Sequence, residues 1–189
     1  MMNRLRRLLK LPNVTRGNDL HELVDRIEIL NSTHDREAFY CGVESLDIYI
    51  KRQASQDARR RISVTHVAVA KDNNTKIVGY YTLSATTITP ALIPEKGFPK
   101  AIPLPAILLG RLAIDVSAQG SGLGAYLLMD ALSRAQRVAE SEMGAVAVVV
   151  DALPDAVSFY TKYGFQRLLD DDLHLYLSMD TIKKLALNS

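Results

Sequence analysis

The chain has 189 residues, of which 48% are apolar and 23% charged, enough for one packed domain with an appendage and too apolar for a disordered chain. Its net charge of +2 is unevenly spread: residues 1–18 hold Arg4, Arg6, Arg7, Lys10 and Arg16 and no acid, while the remainder has 18 basic and 21 acidic residues, a net of −3. No apolar run approaches the roughly 20 residues of a membrane span, so a slightly acidic soluble domain with a basic arm is expected, and no membrane partner.

The arm comes first. Met1–Lys10 offers Leu5, Leu8 and Leu9 as an apolar side and reads as a short helix docked on its own domain or on a second subunit, with a transit peptide or membrane-surface helix as the alternatives. Residues 1–24 are therefore set apart as an extension and 25–189 as the domain. Arg26–Leu30 alternates like a short strand. Ser45 opens a helix to about Arg59, with Leu46, Tyr49, Ile50 and Ala54 on one face. Strands at Val64–Ala70 and Lys76–Thr87 flank a K-D-N-N turn and form a hairpin. Residues 89–105 hold Pro90, Pro94, Pro99, Pro103 and Pro105 and read as an ordered loop without regular structure.

A strand at Ile107–Asp115 follows, then a glycine turn and a helix from about Gly122 to Ala139. Ala145–Val150 is almost wholly apolar, as in a central strand buried on both faces. A short helix at Pro154–Tyr163 and strands at Phe165–Leu168 and His174–Met179 complete the expected elements. The fold class is α/β: a single mixed sheet flanked by helices.

Cys41 is the only cysteine, which excludes an intramolecular disulfide and a Cys-rich zinc site and fits the reducing cytoplasm. It reads as a buried small side chain rather than a nucleophile. His21, His34, His66 and His174 lack ligand spacing, so no metal is expected.

The most informative segment runs L-G-R-L-A-I-D-V-S-A-Q-G-S-G-L-G-A-Y-L-L over 109–128. A strand enters Gln119-Gly120-Ser121-Gly122-Leu123-Gly124, and a helix leaves with Leu127, Leu128, Ala131 and Leu132 on its apolar side. The first N–H groups of a helix lack intrahelical acceptors and the dipole there is positive, so an anion is favoured. Glycines let a phosphate reach that backbone. A P-loop would need Lys and Ser/Thr after the last glycine, where Ala125 and Tyr126 stand. A dinucleotide fingerprint would need G-x-G-x-x-G in a first βαβ unit, and here the spacing is G-x-G-x-G late in the chain.

Gln119-x-x-Gly122-x-Gly124 resembles the [RQ]-x-x-G-x-[GA] turn of the GNAT acyltransferases, and Phe159-Tyr160-Thr161-Lys162-Tyr163-Gly164-Phe165 is similar to that family's F-Y-x-x-x-G-F. The resemblance covers roughly residues 26–180. It implies the GNAT fold, with a mostly antiparallel sheet, and acetyl-CoA as cofactor. It also implies that residues 119–125 cradle the pyrophosphate, that the backbone of Leu112, Ala113 and Ile114 pairs with the pantetheine arm, and that Phe159 and Tyr160 adjoin the cofactor.

Phe39-Tyr40-Cys41-Gly42-Val43-Glu44-Ser45-Leu46-Asp47, preceded by His34-Asp35-Arg36, further resembles GNAT toxins of bacterial toxin–antitoxin pairs. Val78–Tyr81, the 108–115 segment and Asp151-Ala152-Leu153 are similar to that branch too. Leu153 stands where many GNAT enzymes have Asn, a departure the toxin branch shares. This resemblance implies acetylation of the α-amine of aminoacyl-tRNA, arrest of translation, a ribbon-helix-helix antitoxin as partner and a homodimer. A housekeeping acetyltransferase for a small amine or a protein N-terminus, and a non-catalytic acetyl-CoA-binding module, are the other readings.

Acetyl transfer from a thioester to an amine needs a neutral amine, a polarised carbonyl and a proton for the leaving thiolate. Backbone N–H groups near Ile114 can polarise the carbonyl. The family resemblance implies Tyr160 as the general acid; an ordinary phenol titrates near 10. Glu44, Asp115 and Asp151 are the acids available to hold a water as base, and the sequence favours none. For a tRNA substrate the candidate cations are Lys51, Arg52, Arg59, Arg60 and Arg61, set against Asp57 alone, with Lys96, Lys100 and Arg111 extending the rim.

Overall fold

The computed structural model describes residues 20–94, 97–99 and 101–187. The arm therefore lies outside the described residues apart from its last turn, α1 (Leu20–Leu23), which runs directly into β1 (Val24–Ile29). The described chain falls into two compact units, each with its own core. One comprises residues 20–84 and Arg111–Ala131, the other Ala85–Gly110 and residues 132–187.

In the first unit, β1 pairs antiparallel with β2 (Val64–Ala70), and β2 with β3 (Ile77–Ile88). Alternation sets what each face buries. Val67, Val69, Ile77 and Tyr80 pack with Phe39, Tyr49, Ile50 and Ala54 from the segment before the hairpin. That segment is α2 (Glu44–Ile48), a π-helical turn (Tyr49–Gln53) and α3 (Ala54–Arg59) in succession. The expected helix is present, but the π turn inserts extra residues in its middle. The apolar spacing survives: Tyr49 and Ile50 are buried and Leu46 packs against the same cluster. Cys41 belongs to this core, as expected, and burial pushes its thiol up to about 11.

In the second unit, β5 (Ala147–Asp151) pairs antiparallel with β7 (His174–Ser178), and β7 with β6 (Gln166–Arg167). Ile88, Ile93, Leu104, Ala106, Ala147, Val149, Leu168 and Tyr176 form its core. β4 (Leu104–Ile114) pairs with β5 in parallel through Ile107↔Val148 and Leu108↔Val149. The seven strands follow the order β1-β2-β3-β4-β5-β7-β6, a mixed and mostly antiparallel sheet as expected. Helices α4 (Leu123–Ser141), α5 (Val157–Lys162) and α6 (Met179–Leu187) complete the fold.

Three expectations need correction. The proline-rich stretch is not wholly irregular: Pro90–Leu92 forms a 3-10 turn, and Leu104 and Pro105 already belong to β4. Pro105 is tolerated because it sits at the strand's start, ahead of the β5 ladder, where its missing N–H is not required; its carbonyl accepts from Val146 N at 2.9 Å. The Phe165–Leu168 strand shrinks to Gln166–Arg167, with Phe165 and Leu168 buried on either side. And β7 does not end the structure, because α6 follows it without a break. The Ser178 hydroxyl caps α6 by accepting from Thr181 N and lies 2.9 Å from the Thr181 hydroxyl.

Candidate active site

The strand–turn–helix of the first unit has a geometry that can receive an anion. Gly120 and Gly122 take φ of +76° and +88°, left-handed values that strain any residue with a Cβ. The Ser121 hydroxyl donates to Ala118 O at 2.6 Å and accepts from Leu123 N at 3.3 Å, committing one first-turn donor of the 19-residue helix α4. The N–H groups of Gly120, Gly122, Gly124 and Ala125 have no acceptor among the described residues. A Cβ at Gly120 would meet nothing within 4 Å, so the approach is open. This geometry fits a pyrophosphate.

Within this turn the Gln119 side chain is directed to backbone carbonyls. Its Nε2 donates to Cys41 O at 2.9 Å and to Ile114 O at 3.1 Å, so its amide hydrogens brace the turn. Asp115 is a second brace. Its carboxylate accepts from Ser117 N (2.9 Å), the Ser117 hydroxyl (2.6 Å) and Tyr40 N (3.0 Å), and Val116 N donates to Tyr40 O. Burial pushes the Asp115 carboxyl up, but these hydrogen bonds outweigh it and hold the group below the usual carboxylate range. A carboxylate so engaged is a cap for the Val116–Ala118 turn, which argues against Asp115 as the base.

Between these braces and the β3 hairpin lies the strand segment Leu112–Ile114. Its position depends on Gly79 of β3: a Cβ there would stand 2.9 Å from Leu127 Cδ1, 3.0 Å from Ile114 Cδ1 and 3.2 Å from Ala113 O. Only glycine lets β3, β4 and α4 approach so closely. The β4–β5 ladder stops at Leu108↔Val149, although β4 runs on to Ile114 and β5 to Asp151. Backbone groups past Leu108 on that edge of β4 are thus not used by β5.

In the second unit, a 3-10 turn (Pro154–Ala156) leads into α5 and an aromatic cluster. Tyr160 meets Phe159 at 5.2 Å and Phe165 at 5.4 Å between ring centroids, both edge-on, and Phe159 meets Tyr163 at 5.1 Å. Tyr160 is 7% exposed, and its hydroxyl has no hydrogen-bond partner among the described residues. Burial alone pushes this phenol up to about 12. It is a weaker acid than the ordinary value suggests, and it stays protonated across the physiological range.

Neither remaining acid is distinguished. Glu44 is exposed, and the 72% exposed Asp151 carboxylate lies 3.7 Å from His174 Nε2. Among the histidines, His34 is buried, with Nδ1 accepting from Asn31 N and Nε2 beside Glu28, and the His66 ring stacks on Tyr81 at 4.9 Å. His21's side chain lies outside the described residues. Among those described, no group of three or more His, Cys, Asp or Glu side chains forms a metal site, and no helix is long and apolar enough to cross a membrane.

The basic candidates share their lack of an ion pair with several other described cations, among them Lys76, Arg137 and Lys162. Arg26, Arg167 and Lys183 pair with carboxylates. Lys51, Arg52, Arg59, Arg60, Arg61 and Arg111 form no ion pair among the described residues. Lys96 and Lys100 lie outside the described residues. Sequence reasoning did not show that Gln56 Nε2 is spent on Arg52 O, nor that Arg111 lies over Tyr49.

Comparison with known proteins agrees with this construction. A family model described as the acetyltransferase (GNAT) domain matches residues 34–174. A tRNA-acetylating toxin of Mycobacterium tuberculosis is 35% identical over 160 residues, covering 82% of this chain and 93% of that protein. A probable toxin TacT of Sinorhizobium fredii is 30% identical over 164 residues, covering 80% and 89%. Among solved structures, AtaT complexed with acetyl-methionyl-tRNAfMet superposes with a TM-score of 0.79 at 29% identity, covering 85% of this chain and 98% of that one. AtaT bound to the C-terminus of its antitoxin AtaR and acetyl-CoA gives 0.73 at 28% identity, covering 85% and 97%. With the family's glycine turn and its F-Y-x-x-x-G-F tyrosine both in place, the chain belongs to the GNAT acetyltransferases, among their toxin relatives.

Proposed function

We propose that the protein is a toxin that transfers the acetyl group of acetyl-CoA to the α-amine of an amino acid esterified to tRNA, which removes that tRNA from translation. The observation that carries this reading is the likeness to a tRNA-acetylating toxin across 93% of that protein's length. The chain's own geometry supports it at each step.

The free N–H groups at the start of α4 would hold the cofactor's pyrophosphate, and the backbone of Leu112–Ile114 would pair with its pantetheine arm. Holding both substrates supplies several kcal/mol of the barrier reduction on positioning alone. The neutral amine attacks the thioester carbon, the C–S bond breaks, and the departing sulfur takes a proton. Tyr160 is assigned that donation, because its hydroxyl has no hydrogen-bond partner among the described residues and is protonated at neutral pH. Its high pKa favours a late transfer, with the phenol first donating a hydrogen bond to the developing thiolate. The α-amine of an aminoacyl ester is less basic than lysine, so a large share is neutral near pH 7–8 and its remaining proton passes to water.

Lys51, Arg52 and Arg59–Arg61 would face tRNA phosphates. By analogy with AtaT and AtaR, the partner is a cognate antitoxin, for which a ribbon-helix-helix protein is the proposal. A homodimer, action in the cytoplasm where charged tRNA resides, and a basic arm whose residues 1–18 acetyl-CoA binding does not require complete the reading. The test is purified protein with labelled acetyl-CoA and total charged tRNA. Label on an aminoacyl ester, released with the amino acid by mild base, is expected; absence of label from every aminoacyl ester would refute the assignment.

A further inference from the structure

Arg111 is the cation whose surroundings ask for a ligand. It sits on β4 one residue before Leu112, is half-buried, and its guanidinium carbon stands 3.6 Å from the centroid of the Tyr49 ring. Among the described residues it makes no hydrogen bond and no ion pair. A half-buried guanidinium normally satisfies its donors with a carboxylate or backbone oxygens. Held over a ring and without a partner among the described residues, it presents a planar fork suited to a bidentate oxyanion.

The ring beneath it is fixed. Tyr49 is 1% exposed, stacks near-parallel on Tyr80 at 6.2 Å, and its hydroxyl lies 3.0 Å from Ser63 Oγ. Tyr49 also opens the π turn, a rare geometry that occurs mostly as a single turn inside α-helices and is frequent at functional sites. Ser63 follows the run Arg59–Arg61, whose last residue takes φ of +59° as the chain leaves α3. One aromatic ring therefore ties Arg111 on β4 to the basic end of α3, although the sequence separates them by about fifty residues.

We propose that Arg111, held over Tyr49, is a phosphate receptor for the RNA substrate: its fork grips one phosphodiester of the acceptor end, and Arg59–Arg61 continue the cationic track along the same strand. This rests on the tRNA reading and makes Arg111 a substrate-positioning residue. The same chemistry would suit a phosphate of acetyl-CoA, and the experiment separates the two sources.

The variants are Arg111→Met, Arg111→Lys, Tyr49→Leu and Tyr49→Phe, each checked for a native fold at the assay temperature by circular dichroism, because truncating the buried Tyr49 lowers the melting temperature. Binding of charged tRNA is measured by filter retention over a salt series, acetyl-CoA affinity by calorimetry, and acetyl transfer both to charged tRNA and to an amino-acid methyl ester. For Arg111→Met, tRNA binding should weaken by about ten- to a hundredfold, and the slope of log affinity on log salt should drop by about one. Acetyl-CoA affinity and methyl-ester turnover should stay within about twofold of the unaltered protein. Tyr49→Leu should match Arg111→Met, Tyr49→Phe should stay near the unaltered protein, and Arg111→Lys should recover only part of the loss.

Parallel loss of acetyl-CoA affinity would move the receptor to the cofactor and overturn the proposal, as would an unchanged salt slope. If the unaltered protein turns over the methyl ester but not charged tRNA, the functional reading fails. The filter measurement still decides whether Arg111 binds RNA.

Discussion

Replacing Tyr160 with Phe removes one oxygen and leaves the ring, which separates chemistry from packing. The hydroxyl has no hydrogen-bond partner among the described residues, and the ring is held by edge contacts with Phe159 and Phe165 that the substituted ring would keep. A buried hydroxyl without a partner costs on the order of 1–3 kcal/mol, and incomplete burial of this one reduces the figure. Tyr160→Phe should therefore be neutral or stabilising by up to about 1 kcal/mol, raising the melting temperature by roughly 0–4 °C in a chain of this length. Loss of a positioned proton donor should slow transfer by about 10²–10⁴-fold, or roughly 3–5 kcal/mol in the barrier. Single-turnover transfer with bound acetyl-CoA, alongside thermal unfolding, reads both quantities. An unchanged rate would make Tyr160 a core aromatic and nothing more. A melting temperature lowered by more than about 4 °C would show that the hydroxyl has a structural partner, and the rate loss would no longer report proton donation. The same burial raises the phenol to about 12, so the unaltered enzyme should show no alkaline fall in rate from Tyr160 below about pH 10.

Four further outcomes are expected. Gly79→Ala forces a methyl against Leu127, Ile114 and the Ala113 carbonyl, and should cost about 1–3 kcal/mol by denaturant unfolding while weakening acetyl-CoA binding through the displaced strand. Gly122→Ala, at φ of +88°, should lose about 1–2 kcal/mol and bind acetyl-CoA more weakly, with tRNA binding retained. Asp115 has a depressed folded-state pKa, so its contribution is present above the unfolded value near 3.9 and fades as pH falls through the folded value; Asp115→Asn should flatten the acid limb of stability below about pH 4. Cys41, its thiol pushed up to about 11, should react with iodoacetamide at pH 8 roughly a hundredfold more slowly in the native protein than in urea.

What is legible in the sequence follows from how each element is stabilised. Val64–Ala70 is readable to the residue because a strand buried among its neighbours must be apolar over most of its length. The glycine turn is readable because left-handed backbone excludes most side chains, a constraint written directly in residue type. The π turn is not, since residues added within a helix leave Leu46, Tyr49, Ile50 and Ala54 with an acceptable apolar face. Helix α6 escapes because β7 passes into it with no glycine or proline, and the Ser178…Thr181 cap is the one local signal of its start. Gln119 illustrates a deeper limit. Its place in the motif suggests a cofactor ligand, but the acceptors it uses include a carbonyl 78 residues away, and no local pattern encodes that.

The braces at Asp115 and Gln119 also set the order of events during folding. They reach Tyr40 and Cys41 across 75 and 78 residues, so the glycine turn gains its shape only after a long loop has closed. A chain that has already formed α4 and the β2–β3 hairpin but not that closure has no cradle. Acetyl-CoA binding should therefore appear, in stopped-flow refolding, after the helical signal has recovered. A binding phase as fast as helix formation would show that the turn assembles without its braces. The cofactor then acts as a reporter of tertiary assembly, and by mass action it stabilises the closed loop against reopening.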